Sequence, residues 1–143
     1  MKIMKSFLCS RSVPSSNLIK IYDWTTEVRD RGITVVSGFH SDIEKDVFHF
    51  LSKGNQPIVL VLAKRMYKRI PLDLKPLVES GRLQIISPFS DDVWLANVDR
   101  AKKRNRYMID MSDEVVVGYV SPGGNLEKLL KEYEGTGKKI IYL

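Results

Sequence analysis

Pro57 to Ala63 reads PIVLVLA, a run with no polar side chain and three β-branched residues. A strand that is apolar on both faces cannot lie on a half-wetted antiparallel sheet. It needs cover above and below, which is the situation of a central strand in a parallel sheet. The rest of the chain must then supply helices for both faces.

It does so in alternation. Ile3 to Ser10 reads as a strand, and Pro14-Ser15-Ser16 as a turn into a helix that carries Leu18, Ile21, Tyr22, Thr25 and Val28 and ends at Gly32. Ile33 to Val36 is a short β-branched run. Ser41-Asp42-Ile43-Glu44 has capping-box spacing and opens a helix with Ile43, Val47, Phe50 and Leu51 inward, stopping at Gly54. After the central strand, Pro71 suits a first helical turn, and Leu74, Leu77 and Val78 carry that helix to Gly81. Leu83 to Ser87 reads as strand, Asp91 to Met111 as a long basic helix, Glu114 to Val120 as strand, Leu126 to Tyr133 as helix and Lys139 to Leu143 as a last strand. Strands separated by helices throughout give an α/β fold: three layers, with a mostly parallel sheet flanked by helices on both faces and right-handed crossovers. No repeat or low-complexity linker interrupts the 143 residues, so residues 1–143 read as a single domain.

Several classes are set aside at this stage. No apolar run is long enough to span a bilayer, and MKIMKSFLCS reads as a first strand rather than a signal peptide. One cysteine, Cys9, excludes an internal disulfide and fits a reducing, cytoplasmic setting. Two isolated histidines, His40 and His49, give no metal-ligand spacing, and no cofactor motif is present. The net charge of +6 is concentrated in two clusters, Lys64-Arg65-Lys68-Arg69 and Arg100-Lys102-Lys103-Arg104-Arg106. Both follow candidate strand-to-helix junctions, where they either solvate the surface, the reading that charge alone favours, or together form one electropositive, phosphate-attracting face.

Ligands of open α/β sheets bind outside the carboxyl ends of the strands. The stretch Arg104 to Glu127 is the most suggestive of these regions. Arg104, Asn105 and Arg106 lie on a helix, a Val115-Val116-Val117 strand follows, and Pro122-Gly123-Gly124-Asn125 opens the next helix. Two guanidiniums and a carboxamide would share an anion with the amides of that turn. Arg11 after the first strand, Ser37-Gly38 after the second, and Ser41 with its helix amides complete the candidate ligand set of Arg11, Ser37, Gly38, Ser41, Arg104, Asn105, Arg106, Gly123 and Gly124. Among the aromatics, Trp24 and Trp94 read as packing residues, whereas Phe39, Tyr67 and Phe89 fall in ligand loops where a ring can stack on a base.

Ser10-Arg11-Ser12, Val35-Val36-Ser37-Gly38, Ile58 to Leu62, Ile86-Ser87, Arg104-Asn105-Arg106, Ser112 to Val117 and Gly124-Asn125-Leu126 occur in an order that resembles the DNA-processing protein A (DprA/Smf) family. The resemblance covers nearly the whole chain. It implies a Rossmann-like core, single-stranded DNA or a nucleotide as ligand, a recombinase as partner, a homodimer, and a basic pocket that includes Arg11, Ser37, Gly38, Arg104, Asn105, Arg106 and Gly124. The chain departs from that family at Phe39-His40-Ser41-Asp42, where the pattern is small and glycine-rich, and at Lys64 to Pro71, where it carries a Tyr-Pro step.

The Lonely Guy phosphoribohydrolases share this architecture and carry Pro-Gly-Gly-x-Gly-Thr-x-x-Glu. Here Pro122-Gly123-Gly124 runs directly into Asn125-Leu126-Glu127, without the Gly-Thr pair. That similarity implies a competing reading in which Arg104, Arg106 and Glu127 act on a nucleoside 5′-monophosphate. A nucleotide-sensing module is a third. The reading preferred from the residues is a nucleotide- or single-strand-binding domain without catalysis of its own.

Overall fold

A computed structural model describes residues 3–143. Six strands alternate with five helices. They are β1 (Met4–Leu8), α1 (Ser15–Asp30), β2 (Thr34–Ser37), α2 (Asp42–Ser52), β3 (Ile58–Val61), α3 (Lys75–Glu79), β4 (Leu83–Ile86), α4 (Val98–Met111), β5 (Glu114–Val117), α5 (Asn125–Lys131) and β6 (Lys139–Tyr142). All neighbouring strands pair parallel, in the order β4-β3-β2-β1-β5-β6. The expected α/β architecture is present, and the sheet is wholly rather than mostly parallel.

The alternation of side chains along each strand explains the two cores. Phe7, Val35, Ile58 and Leu60 point to the face covered by α1, α2 and α3, where Ile21, Val28, Val47 and Leu51 meet them. Leu8, Val36, Val59, Val61, Val115 and Val117 point to the other face, under Met108 and Ile109 of α4 and Leu129 and Leu130 of α5. The apolar PIVLVLA run is therefore buried on both sides, and Ile58 to Val61 are each at most 5% exposed.

The chain steps outward from β1 to β4, then returns through α4 to place β5 on the other flank of β1. The switch point lies between β1 and β5. There the loops are laced together: Ser10 N–H donates to Tyr119 O at 2.8 Å, and Ser121 N–H to Ser10 Oγ at 2.9 Å. Asn17 Nδ2 donates to Gly118 O. A Cβ on Gly118 would stand 2.8 Å from Ile21 Cδ1 and 3.0 Å from Cys9 Sγ, so only glycine lets β5 turn this close to α1.

Several boundaries differ from the sequence reading. Helix α3 begins at Lys75 rather than at a first turn on Pro71, whose carbonyl instead accepts from Leu74 and Lys75 N–H in a turn before the helix. Helix α4 begins at Val98, because the Asn97 side chain accepts from Arg100 N–H and caps it. Residues 91–97 are consequently an irregular loop. β1 and β5 end at Leu8 and Val117, earlier than Ser10 and Val120, since their following residues form the switch-point lacing rather than ladder pairs. At the opposite edge of the sheet, Glu114 is nearly buried between Lys5 (3.1 Å) and Lys139 (3.0 Å), its register neighbours on β1 and β6. No helix among the described residues is long and apolar enough to cross a membrane.

Candidate ligand site at the carboxyl edge

The loops after β2, β3 and β4, those after β1 and β5, and the start of α4 all emerge at the carboxyl edge of the sheet. Their order along that edge follows the strand order. The β3 and β4 loops stand at one end, the β2 loop next, Arg11 after β1, and the Pro122-Gly123-Gly124 turn beyond.

The β2 loop is closed around Arg104. This side chain rises from α4, is 8% exposed, and lies against Gly38, where a Cβ would stand only 2.0 Å from Nη1. Its Nη1 donates to Val61 O at 3.3 Å and its Nε to Asn105 Oδ1 at 2.8 Å. Burial pulls the guanidinium below its ordinary value, and the charge of Glu44 works against that. Gly38 thus makes room for the protein's own arginine. Ser37 is fully buried, and its Oγ accepts from Phe39 N–H, which holds Phe39 at a φ of 44°. Phe39 itself packs edge-on against Phe48 beneath the loop, its ring centroid 5.0 Å away.

The amides expected to receive an anion here are already engaged. Glu44 Oε1 accepts from His40 N–H and Ser41 N–H, both at 3.0 Å, while Ser41 Oγ accepts from Glu44 N–H. The capping box read in the sequence is formed, and Glu44 sits where a ligand's negative group would. The same substitution occurs at the glycine turn. Glu127 Oε1 accepts from Gly123 N–H at 3.1 Å, and Gly124 caps α5 with its N–H on Ser121 O. A carboxylate of the chain occupies both of these helix entrances.

Arg106 does not join Arg104. Two residues along a helix turn the side chain through about 200°, and Arg106 forms a two-pronged pair with Glu132 of the segment after α5, at 2.9 and 3.0 Å. Lys102 approaches the same carboxylate at 3.7 Å. The second basic cluster is therefore partly engaged. Arg104 is buried, Arg106 and Lys102 share Glu132, and Arg100 donates to Leu95 O. Arg100 and Lys103 make no ion pair among the described residues, and Arg100 reaches the β4 loop that is tied to the first cluster.

The first cluster is free. Lys64, Arg65, Lys68 and Arg69 make no ion pair among the described residues, and neither does the exposed Arg11. The β3 loop carrying them is tied to the β4 loop by Arg65 N–H on Val93 O (2.7 Å) and Ser87 Oγ on Lys64 O (2.6 Å). On the joined loops Trp94 is 65% exposed and Leu95 73%. The Arg65 guanidinium lies over the Trp94 ring at 4.5 Å, and Lys64 over Tyr67 at 5.4 Å. Trp94, which reads as packing from the sequence, is the most open ring at this edge. Phe39 is buried, and Tyr67 and Phe89 are half-covered. Residues 91–97, helical by the sequence reading, form a loop, and that difference turns the indole outward.

A cleft of about 330 Å³ lies at the β5–β6 end of the edge, bounded by Asn17, Gly118, Glu127, Lys131 and Tyr142. A larger, shallower hollow lies at the amino edge near Asp113 and Lys138, away from every ligand loop. Cys9, beside Gly118, has its thiol pushed up to about 12, first by burial and then by the charge of Glu44.

The sequence matches no known family model and no curated protein. In fold, the chain is similar to DNA processing protein A from Helicobacter pylori, described for its single-stranded DNA binding mode, with a TM-score of 0.75 at 13% identity over 98% of this chain. It is similar to DNA processing protein A from Streptococcus pneumoniae, with a TM-score of 0.77 at 12% identity over 99%. It is also similar to the molybdenum cofactor binding protein of Rippkaea orientalis, with a TM-score of 0.68 at 12% identity over 99%. This chain spans 64% and 50% of the two DNA processing proteins and 76% of the third. At these identities the likeness establishes a shared Rossmann-like fold.

Proposed function

We propose that this chain is a DprA-like domain that binds single-stranded nucleic acid along the carboxyl edge of its sheet, toward the β3–β4 end. The observation that carries the reading is the ledge of four cations without an ion pair among the described residues, Lys64, Arg65, Lys68 and Arg69, on loops that also present the exposed Trp94 ring. Phosphate attraction combined with exposed aromatic faces is how single strands are held without a base-pairing partner. Arg11 lies two strand positions from β3 on the same edge, about 10 Å along it at the usual strand spacing. An extended ligand meets both, and a compact one does not. The neighbours in fold include proteins described for single-stranded DNA and for molybdenum cofactor, so they admit this class without selecting it.

The phosphoribohydrolase reading draws no support from the geometry. Its arginine, Arg106, is held by Glu132, its alternative, Arg104, is buried, and Glu127 is bound to Gly123 N–H.

Fluorescence anisotropy of labelled oligo(dT) tests the proposal. Binding is expected at low salt, with log K falling by about 0.7 per neutralised phosphate for each tenfold rise in salt. Lys68→Gln with Arg69→Gln flattens that slope. A wild-type chain that binds no oligonucleotide at low salt overturns the reading.

A further inference from the structure

The proposal above concerns charge, and the ledge also contains a surface that charge does not explain. Trp94 has one face of its indole under Arg65 at 4.5 Å, yet is 65% exposed. The open area therefore includes the opposite face of the ring. A large apolar side chain left in water is disfavoured unless something covers it, because burying such a ring is worth far more than leaving it wet.

The ring is held in place. Arg65 N–H donates to Val93 O at 2.7 Å, Val93 N–H to Ser90 O at 3.0 Å, and Arg100 Nη1 to Leu95 O. Bonds on both sides of Trp94 fix the backbone that presents it. A preorganised ring binds with less ordering cost than one on a free loop.

We infer that Trp94 is a base-stacking residue, in which a nucleobase of a single-stranded ligand lies on the open indole face opposite the Arg65 guanidinium. The inference rests on the nucleic-acid reading and adds the means by which bases are gripped. Charge complementarity selects this occupant over an apolar protein partner. Arg65 covers one face of the ring at 4.5 Å, and Lys64, Lys68 and Arg69 belong to the same β3 loop, which Arg65 N–H on Val93 O ties to the ring's own loop. On its own loop Asp91 and Asp92 are the only acids, and Asp92 is hydrogen-bonded to Ser90 in the field of Arg100. A base over the indole puts its flanking phosphates toward those cations.

The test uses the full chain with Trp24→Phe, leaving Trp94 as the sole indole. Oligo(dT) is expected to quench its fluorescence, whereas inorganic polyphosphate, which has charge and no bases, is not. In the wild-type background, Trp94→Ala is expected to weaken oligo(dT) binding about tenfold or more, the size of one base–aromatic stack, and Trp94→Phe to restore most of it. The salt slope stays unchanged in Trp94→Ala, because no phosphate contact is removed. If wild type binds and Trp94→Ala binds equally well, the stacking role is overturned while nucleic-acid binding stands. Absence of wild-type binding overturns both. A chain that binds no oligonucleotide but self-associates, and loses that association with Trp94→Ala, makes the ledge an interface between copies and overturns the inference.

Discussion

Gly38→Ala adds one methyl group at the most crowded of the glycine positions. The new Cβ stands 2.0 Å from Arg104 Nη1, 2.5 Å from Cζ and 3.0 Å from Nη2. Ordinary contact needs about 3.5 Å, so the guanidinium must retreat by about 1.5 Å. Its bond to Val61 O, already 3.3 Å long, does not survive that movement. Losing a hydrogen bond from a charged donor costs about 1.5–3 kcal/mol, and overpacking of a tight site about 1–3 kcal/mol. Since part of the strain relaxes when the arginine moves, a net loss of about 2–4 kcal/mol is expected. For a chain of this size that is a fall in Tm of roughly 6–12 °C.

The backbone contributes nothing to this loss, because Gly38 is not in the left-handed region. That makes a double-mutant cycle decisive. In an Arg104→Ala background the methyl group meets no guanidinium. Gly38→Ala should then be neutral, or stabilising by about 0.4–1 kcal/mol through the unfolded chain. Urea unfolding of the four proteins, followed by far-ultraviolet circular dichroism, measures the coupling. A coupling of about 2 kcal/mol or more is expected. Additivity within about 0.5 kcal/mol would refute the claim that Gly38 exists to admit Arg104.

Two further expectations follow from titratable groups. With its thiol pushed up to about 12, Cys9 is thiolate in about one molecule in ten thousand at pH 8. Ellman's reagent should react at least about 100-fold more slowly with the folded chain than with the urea-unfolded one, and a native rate within tenfold contradicts the burial argument. For Glu114, burial alone raises the carboxyl, but hydrogen bonds and charge from Lys139 and Lys5 outweigh it, and the net shift is downward. A depressed carboxyl stabilises above its unfolded value, near pH 4.3, and loses that stabilisation as pH falls through the folded value. Glu114→Gln should lower stability by about 1–3 kcal/mol at pH 7 and flatten the decline between neutral and acid pH. An unchanged acid limb in that variant would assign the decline to other carboxylates.

The sheet was legible in the sequence because a buried parallel strand leaves little freedom in composition. PIVLVLA, Val115 to Val117 and Ile33 to Val36 each announce themselves, and the glycines at 32, 54 and 81 punctuate them. The start of α4 was harder, since Asp91 to Asn97 carries charges and apolar residues at spacings a helix also uses. Only the Asn97 side chain on Arg100 N–H fixes the entry. Reading Trp94 as packing inherits that error. The split between Arg104 and Arg106 was available from helical period alone, but which of them faces the sheet depends on Glu132, far along the chain. Gly38 gave a correct signal of close approach, and its partner was an arginine from another element. Chain-distant contacts of this kind have no local pattern to reveal them.

The carboxylates at the helix entrances then decide how the edge can be used. Glu44 satisfies two amides of the β2 loop, and Glu127 satisfies one at the glycine turn. A phosphate arriving at either place gains those amides only by expelling a hydrogen-bonded carboxylate and accepting its repulsion nearby. The four cations of the β3 loop ask for no such exchange, because no carboxylate among the described residues pairs with them. The electrostatic preference along the edge therefore runs toward β3 and β4, away from the switch point where ligands of open sheets ordinarily sit. Flexible lysines and arginines hold phosphates with little directional demand, in contrast to a cradle of fixed amides. On the proposed nucleic-acid reading, discrimination among ligands falls to Trp94, and the glycine turn serves as a structural joint between β5 and α5.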